Sequence, residues 1–256
     1  MNAIKWNADP KKRIFVIVMS KPQYQEFKYS DDAKQIYSSG NTAVVINSEL
    51  PNNEIIRNMD NLGLVREGTM LMLSPYDSDF YQPIQDSLFE FSKRKVMLYS
   101  QYCQLLGATE VKVDVEEIVE STDQTEHHAA IKHKVAKLDA KVASEIKDKF
   151  KRSITSMGTF IGQFPDYSRA TMFLKNKNLH ADIMLCSLIE ELQQSNQIRT
   201  KTIRFNTSTE TTHQLKILGD LDIKPLKLGL SYDFTHITEK SYEIIVSLHV
   251  VFGDRC

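Results

Sequence analysis

The longest regular pattern of apolar and polar positions lies in residues 125–160. Apolar side chains recur at Ile131, Val135, Leu138, Val142, Ile146, Phe150, Ile154, Met157 and Phe160, in steps of three and four that match the helical period of about 3.6. The spacing predicts one amphipathic helix about 45 Å long at a rise of about 1.5 Å per residue. Gly158, Gly162 and Pro165 are placed to end it. Its polar side is basic, with Lys132, Lys134, Lys137, Lys141, Lys147, Lys149, Lys151 and Arg152 against Asp139, Glu145 and Asp148. Ile131, His133 and Val135, then Leu138, Ala140 and Val142, also alternate at the period of a strand. The Ala, Lys and Glu content of the segment favours the helix.

Ahead of this stretch, residues 14–19 form a short continuous apolar run, expected as a strand buried in the middle of a sheet. Ser30-Asp-Asp marks a helix start, with Ala33, Ile36 and Tyr37 inward and Gly40 as terminator. A strand is expected at Thr42–Ile46, a short helix carrying Ile55, Ile56 and Met59 at 51–61, and a third strand at 69–74. A long helix follows from Gln82 or Pro83 to Leu106, with Asp77 and Asp79 favouring its start and Gly107 its end. Two adjacent apolar stripes, Ile84, Leu88, Phe91, Leu98, Tyr102 and Leu105 beside Phe89, Val96, Tyr99, Cys103 and Leu106, imply burial over a wide face. Val111, Val113 and Val115 then alternate with Lys112, Asp114 and Glu116 as a half-buried strand.

Beyond Pro165, Asp166 caps a helix through Ala170, Phe173 and Leu174. Another is expected at 180–194 with Ile183, Leu185, Leu188, Ile189 and Leu192 inward. Strands are expected at 201–206 and 214–218. A long antiparallel hairpin closes the chain: Leu226, Leu228, Leu230, Tyr232 and Phe234 alternate with polar residues, and Tyr242, Ile244, Val246, Leu248, Val250 and Phe252 do so on the return. The expected class is therefore α+β, a mixed or antiparallel sheet with long amphipathic helices and a C-terminal antiparallel β-hairpin.

Composition narrows the picture. Of 256 residues 41% are apolar and 25% charged, with 9 Gly and 7 Pro, so a substantial core is available and long disorder is not expected. A single domain over 1–256 is expected, with 1–107 and 108–256 as its only natural subdivision, at the Gly107-Ala108-Thr109 connection. The net charge of −1 gives no global attraction to nucleic acid or anionic lipid. Residues 110–126 are acidic and 132–152 basic, so the two are expected to answer each other as neighbouring strand and helix. Three unpaired cysteines, Cys103, Cys186 and Cys256, suit reduced thiols, and no leader peptide or run near about eighteen apolar residues is seen, which places the chain in the cytoplasm.

Candidate chemistry is sparse. His127, His128 and His133 do not share a helical face cleanly, so no zinc pair results. His236-Ile-Thr238 resembles one half of the paired His-x-Thr arrangement of two-histidine phosphoesterases. The second half is missing, because His249 precedes Val250-Val251 and His213 precedes Gln214-Leu215. Asp220 and Asp222 have the spacing of cation ligands but read better as a turn. Glycine-rich phosphate loops and nucleophile elbows are absent, and no cofactor, metal or small-molecule ligand is expected.

What remains is a non-enzymatic interaction or effector protein that acts through self-assembly or a protein partner. Membrane action through the amphipathic segments is a branch of that reading, because the arms of the terminal hairpin reach the length of barrel strands. Nucleic-acid binding is disfavoured, since the basic segment lacks interleaved aromatics. The candidate interaction face is Lys134, Lys137, Lys141, Lys149 and Arg152. The alternative is a hydrolase-type enzyme whose site is assembled only in three dimensions, with His236, Asp220 and Asp222 as its best residues.

Overall fold

The computed structural model of the chain describes residues 6–120, 140–154, 158–194, 198–219 and 242–253. Two compact units emerge, Met1–Glu90 with Glu210–Glu239, and Phe91–Thr209 with Lys240–Cys256.

The first unit is built on a mixed sheet. Strand β1 (Phe15–Met19) lies between β2 (Thr42–Ile46), parallel to it, and β3 (Met70–Leu73), antiparallel, and β4 (Tyr81–Pro83) pairs antiparallel with β3. All five residues of β1 are fully buried, as an uninterrupted apolar run requires of a central strand. The parallel β1–β2 step needs a crossover, supplied by α1 (Lys21–Phe27) and α2 (Asp31–Ser39). Helix α2 starts where expected, with Ser30 Oγ accepting from Ala33 N at 3.1 Å, and stops at Gly40 with φ of 70°.

Helix α1 escaped the pattern reading, yet it carries a capping signature: Ser20 N donates to the Gln23 side chain at 2.9 Å. Helix α3 (Glu54–Asn61) begins later than the expected 51, because Asn53 Oδ1 caps it by accepting from Ile55 N at 2.9 Å. Val16, Val18, Val45, Ile56, Met59, Leu71, Leu73 and Tyr81 form the core on one side of the sheet. Arg13 is buried beside it, its Nη1 donating to Tyr81 Oη at 2.9 Å and its guanidinium 5.2 Å from the Trp6 ring.

Helix α4 (Ile84–Leu105) matches the expected bounds. Asp77 and Asp79 do not cap it, because β4 intervenes. Both predicted stripes are inward: Ile84, Phe91, Leu98, Tyr99, Tyr102, Cys103 and Leu106 are essentially inaccessible.

The second unit holds an antiparallel sheet of β5 (Ala108–Glu120), β6 (Gly158–Thr159), β7 (Thr200–Asn206) and β8 (Tyr242–Phe252), in the order β6-β5-β8-β7. The alternation in β8 holds, with Ile244, Val246, Leu248, Val250 and Phe252 buried. Opposite them stand Val111, Val113 and Val115 of β5 and Ile203 and Phe205 of β7. The first arm of the expected hairpin, 226–234, lies outside the described residues, and the described antiparallel neighbours of β8 are β5 and β7.

Tyr99 stacks on Phe205 at 3.9 Å between centroids, and Lys95, buried, donates from Nζ to Asn206 O at 2.9 Å. Helices α6 (Tyr167–Asn176) and α7 (Ile183–Gln193) pack through Ala170, Leu174, Leu185, Leu188 and Leu192. Asp182 caps α7 through Met184 N and Leu185 N, which moves the start from 180 to 183 and leaves Ile183, expected inward, 82% exposed.

Two further expectations are corrected. Residues 214–218 are not a strand but belong to α8 (Thr209–Gly219), in which Thr211, Thr212, Leu215 and Leu218 are buried at helical spacing. The helix of 125–160 does not reach Phe160: α5 runs Ala140–Ile154 and β6 follows at Gly158. Only Phe150 and Ile154 are buried on it, while Val142 is 42% exposed. Ile131, Val135, Leu138 and Met157 lie outside the described residues. The α+β class stands, with one mixed and one antiparallel sheet.

Candidate functional site

All of the features that follow belong to the second unit. Helix α5 has five basic residues and two acidic ones. The inner members of the basic set are tied to β5: Lys147 Nζ donates to Glu116 O, and Lys151 Nζ lies 3.7 Å from Asp114 Oδ1. The expected pairing of the acidic strand with the basic helix is therefore present in part. Lys141, Lys149 and Arg152 of the candidate face are exposed on α5, whereas Lys134 and Lys137 lie outside the described residues.

A second charge cluster was not foreseen. A bulge in β5 between Val115 and Glu117 puts two consecutive carboxylates on one side of the strand. Arg204 of β7 reaches both, Nη2 donating to Glu117 Oε1 at 2.9 Å and Nε donating to Glu116 Oε2. Ser247 Oγ donates to the other Glu116 oxygen, and Thr202 Oγ1 lies 3.1 Å from His249 Nδ1. Hydrogen bonds from Arg204, then from Ser247, hold the Glu116 carboxyl below the ordinary carboxylate range. A depressed folded-state value means that the contribution to stability is fully present above the ordinary range and is lost as pH falls through the lowered value. Arg204→Gln is expected to return Glu116 towards the ordinary range in a side-chain NMR titration. An unmoved titration would assign the shift to Ser247 instead.

The third feature is a loop clasped at both ends. After β6, Phe160 N donates to Thr109 O at 2.7 Å, and Asp166 N donates to Leu105 O at 3.0 Å. Gly107 and Gly162 adopt φ of 87° and 77°, conformations open to glycine. A Cβ at Gly107 would stand 2.6 Å from Gln163 O, and one at Gly162 2.8 Å from Thr109 Cγ2. Beside these contacts lies a cleft of about 450 Å³ lined by Gly107, Thr109, Ile161, Gly162, Gln163, Phe164 and Gly253. Ile161 is 103% exposed and Phe164 81%. A neighbouring hollow of about 300 Å³ is lined by Met97, Val113, Ile154 and Phe160.

Sequence reasoning used Gly162 and Pro165 only to end a helix. The available signal was two bulky apolar residues, Ile161 and Phe164, in a segment with glycine and proline and no period.

Among the described residues no group of three or more His, Cys, Asp or Glu could hold a metal ion. His127, His128, His133, Asp220, Asp222 and His236 lie outside the described residues, so their arrangement is not seen. Cys103 is fully buried, which pushes its thiol up to about 12 and makes it unreactive at neutral pH. Cys186 is partly buried, with Sγ donating to His180 O. Among the described residues no helix is long and apolar enough to cross a membrane. No protein-family model, no curated protein and no solved structure matches this chain.

Proposed function

We propose that the chain is a non-enzymatic interaction protein, working through self-assembly or a protein partner, whose contact surface is the clasped loop. One observation carries the reading. Ile161 and Phe164 are held out in solvent by a backbone tied at Thr109 and Leu105. Large apolar side chains scattered singly on a surface need no explanation, but two on a pre-organised loop beside a cleft fit a contact site. Lys141, Lys149 and Arg152, exposed on α5 in the same unit, are charged residues that a partner of this surface could also meet. Exposed charges outside an apolar contact tune association rate and partner choice more than affinity.

The test is a photoreactive amino acid placed at position 164 in cells, with Tyr29, 80% exposed in the first unit, as the control position. A discrete adduct from 164 and none from 29, whether to another copy or to another protein, is the expected result. No adduct at 164 above the control, in a chain that also sediments as a monomer at every concentration, would remove the reading.

A further inference from the structure

We propose that the outer edge of β7 is a second contact surface, independent of the clasped loop, and that its occupant is an extended, proline-free segment of another protein that adds to the sheet as a further strand. β7 is the last strand in the order β6-β5-β8-β7, so one of its edges faces no strand. Thr207 N donates to Ile244 O at 2.9 Å, and Phe252 N to Arg199 O at 2.8 Å, which fixes the phase of the ladder. Arg199, Lys201, Ile203, Phe205 and Thr207 therefore turn their backbone groups to β8, whereas Thr200, Thr202, Arg204 and Asn206 turn theirs away. Asn206 O is taken by the buried Lys95 Nζ at 2.9 Å. The N–H and C=O groups of Thr200, Thr202 and Arg204 meet no partner among the described residues, and all three residues are exposed.

Backbone groups in this row are complementary to a second extended backbone. Proline, a bulge and a free outward charge are ways in which folded proteins guard such an edge, and β7 lacks them. Residues 199–207 contain no proline. The register of β7 on β8 runs without a shift, while β5 is bulged. Arg204, the charge on the exposed face of β7, is drawn inward across β8 to Glu116 and Glu117 of β5.

Lys201 decides which strand can enter. Side chains alternate along a strand, so Lys201 shares the covered face with Ile203 and Phe205, both buried, and its Nζ lies 2.6 Å from Glu191 Oε2. A second copy added antiparallel about a two-fold axis would meet this ion pair with its own Ile203, Phe205 or Lys201 in each register that engages two or more of Thr200, Thr202 and Arg204. Apolar cover costs the pair its solvation, and two lysines side by side repel. Both charges beside the edge are answered within the fold, so the segment that fits is uncharged. It carries β-branched apolar residues opposite Ile203 and Phe205 and hydroxyl residues opposite Lys201 and along the exposed face.

Backbone amide exchange of the full chain, read by NMR, is the experiment. The probe is a capped synthetic peptide of threonine with two valines two positions apart. In the free chain the amides of Thr202 and Arg204 should exchange at least about tenfold faster than those of Ile203 and Phe205. Peptide at about ten times its dissociation constant should slow the first pair about tenfold and leave the second unchanged. Thr202→Pro removes an edge N–H that β8 does not use, so it should weaken binding at least about tenfold while Ile203 and Phe205 stay protected. The same peptide methylated on every backbone nitrogen should not bind, and this control leaves the protein's fold untouched.

Slow exchange at Thr202 and Arg204 in the free chain, no protection by the peptide, undiminished binding to a folded Thr202→Pro chain, or equal protection by the methylated peptide overturns strand addition. Slowing of the same two amides by protein concentration alone assigns the edge to a second copy and overturns the foreign occupant. None of these readouts involves residues 160–166, so failure here leaves the loop reading standing and failure there leaves this one.

Discussion

Phe150→Ala is expected to destabilise the second unit by about 3–5 kcal/mol, the range for deleting a fully buried aromatic side chain. Phe150 is 0% exposed, and with Ile154 it is one of only two buried residues in the fifteen of α5. A helix of this length is marginal in water by itself, so docking of these two side chains is what holds it. The competing candidates are weaker. Lys151 lies 3.7 Å from Asp114, with the two side chains about half exposed, and such a surface pair contributes about 0–1 kcal/mol. The apolar anchor therefore outweighs the ion pair several-fold. Urea unfolding followed by far-UV circular dichroism should show a large drop in midpoint for Phe150→Ala and little change for Lys151→Ala. Amide exchange along α5 should accelerate in the first variant only. The reverse order of effects would mean that charge, not burial, fastens α5 to the sheet.

Legibility of the sequence follows the same physics. β1, β8 and α4 could be read directly, because each has one face, or the whole strand, facing a core, and burial writes a period into the chain. Ile244, Val246, Leu248, Val250 and Phe252 alternate and are buried; the wide double stripe of α4 is equally faithful.

The misreadings arose where period and burial part company. Val142 keeps the helical step of the stripe in α5 yet is 42% exposed, because a spacing records what is apolar and not what is covered. Leu215 and Leu218 suggested a strand through a short apolar run, whereas burial of Thr211 and Thr212 alongside them extends the true helix into residues that are not apolar at all. Ile183 was placed inward by pattern and turned out by a cap, since Asp182 fixes where α7 begins.

Of the candidate interaction face, Lys141, Lys149 and Arg152 were visible as exposed charge. The clasped loop was not, because its shape depends on Thr109 and Leu105, residues distant in sequence whose backbone carbonyls hold its two ends.

Gly107→Ala is expected to carry the other large effect, and Gly40→Ala separates its causes. Both glycines have positive φ, 87° and 70°, so an alanine at either meets a dihedral cost of about 1–2 kcal/mol. In both, loss of unfolded-chain freedom returns about 0.4–1 kcal/mol. At Gly40 nothing lies within 4 Å of the new Cβ, and the net change should be small.

At Gly107 the Cβ would lie 2.6 Å from Gln163 O, a backbone atom in a loop secured by Phe160 N to Thr109 O and Asp166 N to Leu105 O. Relief requires the loop to move, with loss of at least one of those bonds at about 0.5–1.5 kcal/mol each. The total for Gly107→Ala, with the unfolded-chain term subtracted, should reach about 1–4 kcal/mol, at least twice that of Gly40→Ala. The same displacement should loosen the loop, so NMR resonances of Ile161 and Phe164 should shift or broaden in Gly107→Ala and stay in place in Gly40→Ala. Equal costs at the two positions would show that dihedral strain alone matters and that the approach to Gln163 exerts no constraint. With no such constraint, the pre-organisation on which the contact surface depends would also be lost.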